Sequence, residues 1–168
     1  MFAGILFSLS IASTHPDLSE QYTDSTKNYR ISYPAIWTLN KGKESISFTA
    51  PLDPVIKDEF QEVLFVHVQK QDSNVRTLEA YEQKSLKDIR SVMGDTALIE
   101  IRSINILGRP GREFLYEMLY KNTVIKIKQR FFKHDQVFYL LTFTSTPAEY
   151  EQNIAIADEM MQSFSLLE

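Results

Sequence analysis

From Leu98 to Thr144 apolar and polar side chains alternate, the period of strands with one buried face, and turn residues cut the run into three or four such strands. Lys121-Asn122 predicts a two-residue hairpin turn, which sets Tyr120 opposite Thr123, Met118 opposite Ile125, Tyr116 opposite Ile127 and Phe114 opposite Gln129. On the other face Glu117 then meets Lys126 and Glu113 meets Arg130, opposite charges contributing about 0.2–1 kcal/mol per pair. Gly108-Arg109-Pro110-Gly111 predicts a type II turn from Arg109 to Arg112, with proline fixing φ at the second position and glycine taking positive φ at the third. Counting back across that turn places Ile101 beside Met118 and Arg102 beside Glu117, a ladder of Arg102, Glu117 and Lys126 that a one-residue slip would destroy. After the turn at Lys133 to Gln136 both alternating sets of Val137 to Thr144 contain apolar residues, so that register stays open.

Upstream, Tyr29, Ile31 and Tyr33 share one side of a short strand that Pro34 ends, and Trp37 follows as a core anchor. A turn at Asn40 to Lys43 leads to a strand marked by Ile46 and Phe48 and stopped by Pro51. Leu52 to Glu62 reads as a loop and Val63 to Lys70 as the next strand. Thr77 caps a helix whose apolar residues Leu78, Tyr81, Leu86, Ile89, Val92 and Met93 recur at helical spacing, with Gly94 as its stop. Thr146-Pro147-Ala148-Glu149 combines a capping box with proline at the first helical position, and Tyr150, Ile154, Ala157, Met161 and Phe164 form the buried stripe of a last helix. The predicted class is α+β, an antiparallel β-sheet flanked by helices.

Residues 1–12 are apolar apart from two serines and end in Ser10-Ile11-Ala12, small residues suited to a signal peptidase. The stretch is too short to span a bilayer as a helix, and no lysine or arginine precedes it: either the true start lies upstream or this is not a signal. Residues 13–28 read as a flexible polar lead-in, and residues 29–168 as the domain. With 168 residues, 43% of them hydrophobic, the chain can bury a core of its own. A net charge of -4 argues against bulk attraction to nucleic acid or an anionic membrane surface. The absence of cysteine removes disulfides, thiol nucleophiles and thiolate zinc sites.

Several short motifs recur here in a familiar order: Tyr29-Arg30-Ile31-Ser32-Tyr33-Pro34 with Trp37, Phe48-Thr49-Ala50-Pro51, Leu78 and Tyr81 opening the first helix, then Gly108-Arg109-Pro110-Gly111-Arg112, Tyr139-Leu140-Leu141-Thr142 and the closing Ser163-Phe164. Their order and spacing resemble the PsbP-like superfamily, which takes in the extrinsic PsbP proteins of photosystem II, bacterial DcrB-type proteins and a small Ran-binding nuclear-import factor. The resemblance covers roughly Tyr29 to Phe164. It implies an αβα sandwich and a non-catalytic role as accessory subunit, assembly factor or chaperone with a protein partner; it carries over no active site and no cofactor. Exported members and cytoplasmic chaperones both occur on this fold, so the fate of residues 1–12 separates them.

The three histidines do not read as catalytic: His15 lies in the lead-in, His67 in an apolar strand and His134 at a turn tip, with no G-x-S-x-G turn to present a serine. No phosphate-binding loop or dinucleotide fingerprint is present. His134 and Asp135 are the metal candidates, needing a further ligand in space for which His67 is available. The loop carboxylates Asp53, Asp58, Glu59 and Glu62 lack the alternating pattern of a calcium loop. They are the first candidate for docking a basic protein partner, and Arg109 and Arg112 beside the predicted turn are the second. Lys126, Lys128 and Arg130 share one face of a strand, and with Glu113 and Glu117 opposite they read as a structural ladder partly covered by a helix. No basic-aromatic strand motif for RNA is present, and the sequence leaves the oligomeric state open.

Overall fold

The computed structural model describes residues 17–52, 60–94 and 98–167. Two antiparallel sheets and two helices make up the described residues. The larger sheet contains β3 (Thr38–Lys41), β4 (Ser45–Thr49), β5 (Val63–Lys70), β6 (Ile99–Ile106), β7 (Arg109–Tyr120), β8 (Thr123–His134) and β9 (Val137–Ser145), in the spatial order β3-β4-β5-β9-β8-β7-β6. The smaller sheet joins β1 (Glu20–Asp24), β2 (Tyr29–Tyr33) and β10 (Ser165–Leu166) in the order β1-β2-β10. Helix α1 (Leu78–Met93) links β5 to β6, and α2 (Pro147–Ser163) follows β9.

The β7–β8 hairpin has the register its turn residues predict. Tyr120 pairs with Thr123, Met118 with Ile125, Tyr116 with Ile127, Phe114 with Gln129, Glu117 with Lys126 and Glu113 with Arg130. Lys121 and Asn122 both take positive φ, the geometry of a type I′ turn.

The turn before β7 differs from the expectation. Chain reversal occurs at Leu107-Gly108, both at positive φ, while Arg109 to Arg112 lie inside β7. Ile101 therefore pairs with Phe114 and Arg102 with Glu113. The displacement along β7 is four residues, an even number, so every side chain keeps the face predicted for it and only its neighbours change. The charge ladder survives as Arg102, Glu113 and Arg130.

Gly111 sits in extended backbone, and its lack of a side chain matters for another reason. A Cβ there would lie 3.0 Å from the Phe131 carbonyl oxygen and 2.9 Å from Ile106 Cδ1. Ile106 can rotate away, but the strand carbonyl cannot. Gly111→Val is expected to destabilise the chain by about 1–3 kcal/mol through overpacking; an unchanged urea midpoint would contradict this close approach.

Strand β9 is buried on both faces, which is why alternation left its register open. Phe138 and Leu140 join Leu78, Tyr81 and Leu86 of α1 together with Phe114 and Phe131 in one core. Tyr139, Leu141 and Phe143 point the other way, into a core with Tyr150, Ile156, Ala157, Met160 and Met161 of α2, Phe132, and Tyr29 and Ile31 of the small sheet. Register is fixed by His134 pairing with Val137 across a two-residue turn with Asp135 at positive φ.

Thr77 accepts the Ala80 N–H and Gly94 ends α1 at positive φ, as predicted, but Val92 is exposed rather than buried. At the start of α2, Pro147 occupies the first turn, whereas the Thr146 hydroxyl donates to Glu149 Oε2 at 3.1 Å and caps no backbone N–H. The buried face of α2 also takes in Ile156 and Met160. Part of the supposed lead-in is structured: β1 pairs with β2 along its whole length, and Tyr22 packs against Tyr29. Asp24 Oδ1 accepts the N–H groups of Thr26 and Lys27 to close that hairpin.

Candidate functional site

The sequence candidates separate in space and bonding. Asp53, Asp58 and Glu59 lie outside the described residues. Glu62 does not belong to an exposed carboxylate surface: it is buried and accepts a hydrogen bond from the Ser145 hydroxyl at 3.1 Å. Arg112 is engaged with α1, its Nε donating to Glu82 at 2.6 Å and its Nη2 lying 3.6 Å from Glu79. Arg109 donates to the Leu107 carbonyl at 2.9 Å beside the hairpin turn. His134 and Asp135 approach to 3.6 Å at the β8–β9 turn, and no third ligand joins them: among the described residues no group of three or more His, Asp and Glu lies close enough to hold a metal ion.

The basic face of β8 is a covered ionic ladder. Lys128 Nζ lies 2.8 Å and Arg130 Nη2 3.1 Å from Asp158 of α2, while Glu113 on β7 takes Arg130 Nε at 2.8 Å and Lys128 Nζ at 3.5 Å. Arg102 adds a contact of 3.6 Å to Glu113 from the far side. Burial alone would raise the Glu113 carboxyl, but the Arg130 hydrogen bond and the Lys128 charge outweigh it and hold it below the ordinary 4.5. Lys126 leaves Glu117 and turns toward α2, its ammonium 4.1 Å from the Tyr150 ring centre and 3.6 Å from Glu151.

Between the β6–β7 hairpin and the end of α2 lies a cleft of about 360 Å³ lined mainly by Ile104, Ile106, Leu141, Met161 and Phe164, with Arg130 as its charged group. Glu113 and Asp158 already satisfy that guanidinium, and the lining contains no histidine or carboxylate to act as a base.

An uncovered apolar surface surrounds the tip of the β7–β8 hairpin. Val92 at the end of α1, Leu119, Tyr120 and Val124 are between 46% and 71% exposed. Leu119 stands opposite Val124, and Val92 shares a hollow with Met118 and Leu119. Sequence reasoning missed this surface, although one signal was available: Met118-Leu119-Tyr120 and Val124-Ile125 are apolar on both faces, which a half-buried hairpin does not need.

The family model of the PsbP-like protein matches residues 8–166. The chain belongs to the PsbP-like family. Among solved structures, the PsbP-like fold seen here resembles cyanobacterial PsbP (CyanoP) from Synechocystis, with a TM-score of 0.63 at 14% identity over 88% of this chain and 91% of that one. It also resembles PA94 from Pseudomonas aeruginosa, described as a putative regulator of unknown function, with a TM-score of 0.62 at 15% identity over 80% of this chain and 88% of that one. At these identities the likeness concerns the fold. No curated protein matches the sequence. No helix among the described residues is long and apolar enough to cross a membrane.

Proposed function

We propose that this PsbP-like chain is an exported, non-catalytic accessory protein that holds a protein partner against the apolar tip of the β7–β8 hairpin. The carrying observation is the gathering of Val92, Leu119, Tyr120 and Val124 around the tip of one hairpin, outside both hydrophobic cores. Exposed apolar groups so concentrated gain about 25 cal/mol per Å² when a partner covers them. Membership of the PsbP-like family supports a non-catalytic reading. The two helices, packed on opposite faces of the larger sheet, support a three-layered αβα sandwich as the frame that carries the tip.

Capture from the native host tests the docking surface. Leu119→Asp plus Val124→Asp should weaken partner capture at least about tenfold, as loss of central apolar anchors does, while Phe65→Asp, exposed elsewhere on the sheet, should leave it intact once both variants are shown to fold. Undiminished capture by the tip variant would overturn the assignment. Export is tested separately by N-terminal sequencing, with a mature end near Ser13 expected and an intact Met1 in the cytoplasm contradicting it.

A further inference from the structure

Strand β6 is the last strand of the larger sheet, and none of the described strands pairs with its outer edge. Sheet proteins blunt such edges with lysine, proline or a bulge. Here Ile99-Glu100-Ile101-Arg102-Ser103-Ile104-Asn105-Ile106 contains neither residue, and its pairing with β7 runs unbroken from Ile99 to Ile106. Its two charges are of opposite sign and point to the same face.

The loop Leu107-Gly108 decides which main-chain groups face outward. Ile106 and Arg109 flank this two-residue turn and form the hydrogen-bonded pair, so Ile104, Arg102 and Glu100 also bond inward to β7. The N–H and C=O groups of Ile99, Ile101 and Ser103 then point away from the sheet. Pro110 agrees with this phase, because it lies opposite Asn105, where no N–H is required of it.

We propose that this edge pairs with β6 of a second copy of the chain, antiparallel about a twofold axis at Ile101. Ile101 meets its own counterpart, and Ile99 meets Ser103 of the second copy, so the outward groups of each copy find partners. Glu100 of each copy then lies directly opposite Arg102 of the other. Leu98, 89% exposed at the head of β6, comes beside Ile104 of the second copy. A twofold axis at Ser103 would instead set Arg102 against Ile104 and Glu100 against Ile106, leaving both charges facing apolar side chains. In the free chain Arg102 Nε already donates to Glu100 at 2.8 Å. Exchanging that bond for one across the axis selects the register, while the main-chain hydrogen bonds and covered isoleucines hold the pair. The two sheets become continuous, and the two hairpin tips stand at opposite ends, free for the partner proposed above. The edge and the tip are separate surfaces, so either assignment can fail without the other.

Sedimentation equilibrium of the full chain should give twice the chain mass at high concentration, with slowed amide hydrogen exchange at Ile99, Ile101 and Ser103. Glu100→Arg alone and Arg102→Glu alone should each raise the dissociation constant about tenfold, since two like-charge pairs replace two opposite ones. The double exchange should restore pairing. The double exchange also re-forms the pair of residues 100 and 102 within one chain, so each variant is first shown to keep the wild-type urea midpoint, and rescue of pairing at unchanged stability then reports the contact across the axis. A monomer at every concentration, indifference to the single exchanges, failure of the double exchange to rescue, or edge amides protected only when a different protein is added would each overturn the proposal.

Discussion

Glu113→Leu is expected to destabilise the folded chain by up to about 3–5 kcal/mol at neutral pH, the cost of leaving the half-buried Lys128 and Arg130 without their buried counter-ion. The Glu113 side chain is almost wholly buried between Arg130 and Lys128, with Arg102 beyond. Leucine fills much of the space but leaves Lys128 and Arg130 to share Asp158. Because the folded carboxyl titrates below its ordinary 4.5, its ionised form favours folding. The contribution is fully present above the unfolded pKa and is lost as pH falls through the folded one. Urea melts between neutral pH and pH ~3 should show the wild type losing stability through that window, and Glu113→Gln should lack that component. Equal acid sensitivity in both would show that the pairing of Glu113 adds nothing.

Phe131 and Phe132 carry the second large expectation. These neighbours in β8 are fully buried on opposite faces of the sheet. Phe131 stands edge-on to Phe114 at 5.1 Å and beside Tyr81 under α1. Phe132 stacks on Tyr139 at 5.3 Å and meets Phe164 edge-on at 5.9 Å, under α2 and the small sheet. Phe131→Ala and Phe132→Ala should each cost about 3–5 kcal/mol, transfer plus cavity. A sheet covered on one face would make only one of the two sensitive. Two comparable losses in denaturant midpoint are the expected result, and one loss with one neutral substitution would contradict a double-sided core.

The parts of this fold that were legible in the sequence are those where turn chemistry and face patterning agree. Lys121-Asn122 tolerates the positive φ of a type I′ turn, and the apolar and charged faces on either side of it match in one register alone. At Leu107-Gly108 they disagree: leucine does not advertise a left-handed conformation, and Pro110-Gly111 three residues on is the stronger local turn signal. The error kept the ladder on its face because the true register differs by an even number of residues. Strand β9 was ambiguous because period-two alternation reports a strand with one wet face, and Phe138 and Tyr139 are both dry. The candidate site was less legible, for exposure is a tertiary property. Glu62 looks like its loop neighbours in sequence, yet Ser145 takes it inside; Leu119 looks like a core residue, yet no described element covers it.

A partner seated on the hairpin tip must touch Leu119 and Val124, and contact itself is the most direct test. A photo-crosslinking amino acid placed at Leu119, and separately at Val124, should yield one discrete heterologous adduct on illumination in the native host, while the same probe at Ser47 on β4 should yield none. Absence of an adduct from both tip positions, or the same adduct from Ser47, would contradict the docking surface.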